Sequence, residues 1–523
     1  MLLVAAVLLT AGLGTYGLWD PDEGRHAAIA RELYNATTWG GWLVPSHNFA
    51  AYHDKPILYY WLTAAAYGFA GVGEVGARLV SVLAALSTLV VVFLWTSRLW
   101  GPRLGRRAAL VLVTSAGFVC LGRYGSLDTL LTWWITLGLV AAERATAEPD
   151  RRGPLLVAAA AAGFGMLTKG LVAPLFIGGV PLVHAYLAGR RLPPMRALAI
   201  ALLVFVVVAA PWYVAVGLVD PAYLREFFLV HHLKRFASTG TTYHAGPWWY
   251  YAPALALIFL PWSAFLPVTL GIAARRQDAG IRYCLCWAAI VVGFFSCSHG
   301  KLATYVLPAL PPLAVLTAHA FDGFESTART RRFAAGGLVV LALVLAAVAP
   351  VALAVHHVPW DSVIARNAPA LVIFPLAAAV VLATWRLRGL ESAAGAVGAA
   401  AAAVILVFYV HAAPTVSQVA SERPLATVIA AHTEAPIVSY SVTPASLMFY
   451  LGRPIVRLNQ PRPLRQILAE QPFTWVVTSP RHVAEITKAA PLYPWVSTGK
   501  RVLYGTGPTG TIAAIEQPAP AQD

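Results

Sequence analysis

The sequence predicts a polytopic α-helical membrane protein with about thirteen transmembrane helices and a small C-terminal α/β domain on its outer side. Three observations carry that prediction. The 523 residues are 59% hydrophobic and only 12% charged, more apolar surface than a soluble fold of that length buries. The net charge of +15 lies mostly in arginines gathered in short gaps between apolar runs, the mark of cytoplasmic loops, so it argues against nucleic acid as a partner. Near residue 413 the long apolar runs give way to short β-like segments.

The arginine clusters at 98–107, 144–152, 190–196, 275–282, 329–332 and 386–388 all fall inside if spans run near 1–18, 78–98, 107–122, 126–142, 154–168, 171–188, 197–219, 250–273, 283–298, 303–320, 333–357, 368–386 and 393–413. Residues 56–72 then form a helix in the outer interface, not a crossing. The first apolar stretch has no basic n-region and reads as a span, not a removed signal peptide. Residues 1–413 form the transmembrane domain, with outer loops at 19–77 and 220–250; residues 414–523 form the α/β domain. There "APIVSYSV", "RPIVRLN" and "FTWVVTSP" read as strands, and "PASLMFYLG" and "PLRQILAEQ" as helices. Four cysteines without a C-x-x-C pair suggest neither a metal knuckle nor a disulfide framework.

With the topology set, ionisable residues collect at the outer face. Of only six lysines, Lys55, Lys169, Lys234 and Lys301 lie there, against the positive-inside bias, which makes them functional candidates. In "WDPDEGRHAAIARELY", Asp20 reads as N-cap, Pro21 as the first helical residue and Glu23 as the returning arm of a capping box. Asp22 is left without a capping task. With Arg25 it falls on one helical face, and a solvated first-turn acid is as good a reading as a functional one. In "AAYHDKPILYYW", Lys55 and Asp54 read either as an interfacial ion pair or as a phosphate clamp and a metal ligand. Asp128 in "GRYGSLDTLLTWW" is a second candidate acid, with helix capping as its ordinary role. His231, His232, Lys234, Arg235 and His244 crowd the 220–250 loop, and Lys301 and Tyr305 share a face, although a lysine there can simply snorkel.

Taken in order, "DPDEGRHAAIAREL", "HDKPILYYWL", "RYGSLDTLL", "LTKGL", "HHLKRF…HAGPWWYY" and "GKLATYVLPALPPLAVL" resemble the polyprenyl-phosphate-sugar glycosyltransferases, typified by the enzyme that adds aminoarabinose to lipid A and related to protein O-mannosyltransferases. The resemblance runs from about residue 16 to 320, and the tail also looks like that family's periplasmic domain. It implies a C-type glycosyltransferase fold of thirteen spans in the bacterial inner membrane, with a periplasmic active site. It assigns Asp22 as the catalytic carboxylate with Arg25 beside it. Tyr52 and Lys55 fall to the donor phosphate, and Asp54, where the family has Glu, to a metal. His232 is the best match for a second metal contact, ahead of His231 and His244, and Tyr305 is a phosphate contact. Lys301 and Arg235 complete the phosphate-binding set.

The expected partners are an undecaprenyl-phosphate-linked sugar donor, a lipid or glycolipid acceptor such as lipid A, and membrane lipids. A divalent metal is the candidate cofactor, and no organic cofactor is expected. A protein hydroxyl or another envelope glycolipid is the alternative acceptor. A transporter or flippase is the rival class, but the sequence shows no inverted repeat and its charges gather at one interface instead of the midplane.

Overall fold

The computed structural model describes residues 2–234, 245–354, 360–431, 435–471 and 473–507, with the backbone alone at 231–234. Among these, six helices are long and apolar enough to cross a membrane, including Glu74–Trp100, Met195–Val219 and Ala328–Ala354. Their windows are as little as 17% buried, so apolar side chains cover the outside of the bundle, as a lipid-facing surface requires. The helix Leu58–Ala70 has 13 residues, too few to cross, and packs between the helices Asp22–Tyr34 and Glu74–Trp100.

Two expected spans, 107–122 and 250–273, are broken helices. The pair Pro102–Val113 and Ala116–Gly122 bends by 70°, and the pair Trp248–Ile258 and Trp262–Ala273 by 114°. At the first break, Thr114 and Ser115 turn their hydroxyls back onto the carbonyls of Leu110 and Val111, which competes with the helical ladder and bends it. At the second, Pro261 removes a donor. The breaks repair one another: the Ala116 N–H donates to the Leu260 carbonyl at 2.8 Å, and the Trp262 indole to Thr114 Oγ1 at 3.0 Å. Freed backbone groups in an apolar bundle need such partners.

The opening span is also shorter than expected. Its helix covers Leu2–Thr10, and Gly12 then takes φ +68° where a Cβ would meet the Tyr409 carbonyl at 3.1 Å. The carbonyls this turn releases are met by two buried arginines. Arg123 donates to Leu8 at 2.7 Å and to Ala11. Arg78 donates to Leu13 at 2.6 Å, Tyr16 at 2.9 Å and Gly17 at 3.0 Å. Each guanidinium also lies over a tyrosine ring, Arg78 on Tyr16 and Arg123 on Tyr409.

Arg78 brings in the opening acid cluster. Its other donors meet Glu23 at 2.7 and 3.0 Å, with side-chain exposures of 0% and 1%. The expected capping box is therefore corrected. The helix starts at Asp22 with no side-chain cap, because both predicted caps are engaged elsewhere. Asp20 accepts from the Ser446 N–H at 2.7 Å and hydroxyl at 2.8 Å. Glu23 reaches back to the Trp19 N–H at 2.8 Å, but its carboxylate mainly serves Arg78 and the Gly125 N–H at 3.0 Å. The Tyr124 hydroxyl takes over the cap, accepting from the Glu23 N–H at 2.9 Å.

Residues 437–505 hold a five-stranded mixed sheet, in the order Val456–Leu458, Ile437–Tyr440, Trp475–Thr478, Val502–Gly505, Tyr493–Ser497. The first three strands are parallel and the last two antiparallel. The three strands and two helices read from the sequence appear in place; the final hairpin does not announce itself there. The sheet is tied to the bundle through Asp20 and Ser446, and Ser446 borders Glu422, which is paired with Arg501 at 2.9 Å. Burial pushes the carboxyls of both Asp20 and Glu422 above the usual carboxylate range.

Because Arg78 has no exposure to share its charge with water, Glu23→Gln is expected to cost about 3–5 kcal/mol, the usual effect of leaving one member of a buried pair unpaired. Thermal unfolding of the purified protein in detergent measures it, and an unchanged midpoint contradicts the role.

Candidate active site

Three acid–cation pairs from separate stretches of chain meet at one end of the bundle. The first turn of the Asp22 helix supplies Asp22 and Arg25, 3.3 Å apart. The loop before the Leu58 helix supplies Asp54 and Lys55, 2.9 Å apart. Asp128, in the first turn of Leu127–Ala147, pairs with Lys169 at the last residue of Arg152–Lys169.

The first two pairs are one network. Arg25 is coupled electrostatically to Tyr52, whose hydroxyl donates to Asp54 Oδ2 at 3.1 Å. Burial, then the Asp54 charge, pushes the Tyr52 hydroxyl far above its ordinary value, so it stays a donor. The third pair lies within electrostatic reach of Asp22, and the Lys169 ammonium sits 4.5 Å from the Tyr305 ring centroid. The surroundings are electropositive. Burial, then Arg25 and Arg457, lowers His47 to about 4. Burial, then Arg25 and Lys55, keeps His26 well below its usual value, and His26 Nδ1 lies 3.1 Å from the Tyr60 hydroxyl.

Backbone supports hold these groups. Ser126 caps the Asp128 helix, accepting from the Asp128 N–H at 3.2 Å, so the capping role considered for Asp128 belongs to its neighbour. Glu23 bonds Gly125 just before that helix, and thereby fixes the starts of the Asp22 and Asp128 helices together. The Lys55 carbonyl accepts from the Tyr223 hydroxyl at 2.6 Å. His53 bridges the same two loops, with Nε2 2.7 Å from Asp220 and Nδ1 2.6 Å from Glu226.

Asp22, Arg25, Tyr52, Asp54, Lys55, Asp128 and Tyr305 are thus gathered as the sequence suggested. Lys301 is not. Its ammonium donates to the carbonyls of Phe295, Ser296 and Ser298 at 3.3, 2.8 and 2.7 Å, which caps the end of the helix Ala279–Cys297 and uses all three of its donors. The side chain of His232 and all of Arg235 lie outside the described residues, as does His244. Lys169 was the omission: it carried the signal of an outer lysine, but only the fold puts it against Asp128. For a metal, the described residues offer no group of three His, Cys, Asp or Glu side chains, and the Asp54 carboxylate faces Lys55 and Tyr52.

Three cations beside three carboxylates, with two phenols, can receive a phosphate by exchanging carboxylate partners for phosphate oxygens, and leave a carboxylate free at its edge. The family model for dolichyl-phosphate-mannose-protein mannosyltransferases matches residues 54–214, which contain Asp54, Lys55, Asp128 and Lys169. The undecaprenyl phosphate-alpha-4-amino-4-deoxy-L-arabinose arabinosyl transferase of Pseudomonas paraeruginosa is 34% identical over 357 residues, 67% of this chain and 64% of that protein. The enzyme of the same name from Pseudomonas savastanoi pv. phaseolicola is 33% identical over 392 residues, 74% of this chain and 72% of its own length. The crystal structure of ArnT from Cupriavidus metallidurans bound to undecaprenyl phosphate superimposes with a TM-score of 0.80 at 24% identity, covering 99% of this chain and 98% of that one; the two share a fold.

The His53 latch gives a pH dependence. Burial alone lowers the imidazole value, but its bonds to Glu226 and Asp220 outweigh that, and the net shift is upward from 6.5. A raised cationic group stabilises the fold fully below its unfolded value and loses that contribution as pH rises through the folded value. The melting difference between the parent and His53→Gln is therefore expected to be large near pH 6 and to shrink by pH 9. A pH-independent difference contradicts the latch.

Proposed function

This chain belongs to the family of undecaprenyl phosphate-alpha-4-amino-4-deoxy-L-arabinose arabinosyl transferases, and from that premise we propose that it moves a sugar from an undecaprenyl-phosphate donor to a lipid acceptor such as lipid A. The observation that carries this reading is the gathering of Arg25, Lys55 and Lys169, each beside a carboxylate, at one end of the bundle. The acceptor oxygen bonds to the anomeric carbon as the bond from that carbon to the phosphate oxygen breaks. The bonding pair leaves on the polyprenyl phosphate, and Lys55, Lys169 and Arg25 offset the charge it gains. Asp22, 48% exposed and held among the described residues by Arg25, faces the acceptor. It takes the proton of a hydroxyl acceptor, or orients a phosphate acceptor that is already ionised. Asp54 and Asp128 hold the lysines in place before the donor arrives. The finer topology belongs to the same proposal: thirteen crossings, with these pairs and residues after about 413 on the periplasmic side.

Purified protein assayed with a polyprenyl-phosphate-sugar donor tests the roles. Asp22→Asn is expected to lower turnover roughly 10²–10⁴-fold, and Lys55→Ala and Lys169→Ala roughly 10²–10³-fold each, with normal accumulation in membranes. Near-normal turnover of Asp22→Asn sinks the catalytic assignment and moves it to Asp128. Mass spectrometry of envelope lipids and glycoproteins with and without the gene identifies the acceptor, and a change confined to proteins contradicts a lipid. Reporter fusions at residue 150 and at the C-terminus are expected in opposite compartments; one shared compartment contradicts thirteen crossings.

A further inference from the structure

At the opposite end of the bundle from Asp22 lies a cavity of about 630 Å³ between the helices Glu74–Trp100, Leu127–Ala147 and Arg152–Lys169, a size typical of small-molecule sites. Its wall is apolar, with Leu94, Trp95, Leu137 and Val157. Leu94 and Val157 are 58% and 43% exposed, so the groove opens sideways where lipid would lie. Its rim carries Arg98, Arg144, Arg151 and Arg152.

The charges at this rim do not cancel. Arg98 reaches Glu143 and Glu148 at 3.3 and 3.4 Å; Arg144 and Arg151 reach Glu148 at 3.6 and 2.9 Å. Glu143 is further shared with Arg190, at 3.9 Å. Four arginines thus draw on two carboxylates, and Arg152 has no carboxylate partner among the described residues. The helix that begins at Arg152 has no acidic residue in its first turn and no side-chain cap, so its exposed N–H groups and dipole add to the positive field. Topology alone needs arginines on this side, but it does not need an apolar groove running down from them.

We propose that this groove binds one anionic glycerophospholipid of the cytoplasmic leaflet, its phosphate among Arg98, Arg144 and Arg152 and an acyl chain along Leu94, Leu137 and Val157. Basic pockets between membrane helices on that side suit such head groups. The two helices that carry Asp128 and Lys169 at one end form two walls of this groove at the other, so the lipid would brace the pair from behind. The site is independent of which sugar and acceptor the enzyme uses.

Native mass spectrometry of the full-length protein, delipidated in detergent and titrated with dioleoylphosphatidylglycerol or dioleoylphosphatidylcholine, tests this. One phosphatidylglycerol is expected to bind in preference to phosphatidylcholine. Each arginine near an anionic lipid is worth roughly fivefold, so Arg144→Ala with Arg152→Ala is expected to weaken that binding roughly 25-fold. Arg331→Ala with Arg332→Ala, which removes two arginines of another cluster, is expected to leave it unchanged. Val157→Trp fills the groove and keeps every arginine; it is expected to abolish the preference as well, with an unchanged gel-filtration profile. Equal binding of the two lipids, equal loss in both arginine pairs, or full binding by Val157→Trp overturns the site.

Discussion

The buried pair of Glu23 and Arg78 is the interaction on which the rest of this structure depends. It sits where three stretches of chain meet. Arg78 holds the carbonyls of Leu13, Tyr16 and Gly17, Glu23 holds the N–H groups of Trp19 and Gly125, and each ion satisfies the other. Desolvating two charges in an apolar bundle is costly, and only dense hydrogen bonding offsets it. Here the density is high: the guanidinium meets three carbonyls and a carboxylate, and that carboxylate meets two further backbone donors. The pair therefore serves less as a source of net stability than as a device that permits one arrangement of the two helix starts.

That arrangement explains how three neighbouring acids come to differ in task. Asp20 is anchored to Ser446 and ties the sheet to the bundle. Glu23 is enclosed. Asp22, between them, is half-exposed and pairs with Arg25 among the described residues. Anchored residues on both sides of this half-exposed carboxylate supply the preorganisation that its proposed role needs. Across the site, both lysines are held in place: Lys169 ends a helix packed along its neighbour, and the Lys55 loop is clasped by Tyr223 and His53. Each of the three cations is paired with one carboxylate, which offsets its charge.

Much of this was legible in the sequence, for physical reasons that also set the limits. Arginine clusters and apolar runs report a solvent boundary, so most of the helices lie close to where the sequence places them, the short opening helix apart. The breaks near Thr114 and Pro261 were missed because each is repaired by the other, across a long separation in sequence. The outer lysines stood out against the charge bias, but spacing could not tell Lys169, which meets Asp128, from Lys301, which caps a helix. Asp20 and Glu23 looked like caps because capping is what local sequence can show; their partners at Ser446 and Arg78 are visible only in the fold. By elimination the same reading left Asp22 unassigned, and the structure pairs it with Arg25. His53 was read only as part of its cluster, since Asp220 and Glu226 lie far along the chain.

The central claim is that Glu23 acts on the reaction through the placement of Asp22, and a double-mutant cycle on turnover tests it most directly. Turnover per folded molecule is measured for the parent, Glu23→Gln, Asp22→Asn and the double variant, at a temperature where all four remain folded. If Glu23 works by placing Asp22, its loss slows the parent but adds nothing once the carboxylate is gone, and the double variant matches Asp22→Asn within about twofold. Fully additive losses in the double variant would contradict the account and make the buried pair a support for the fold alone.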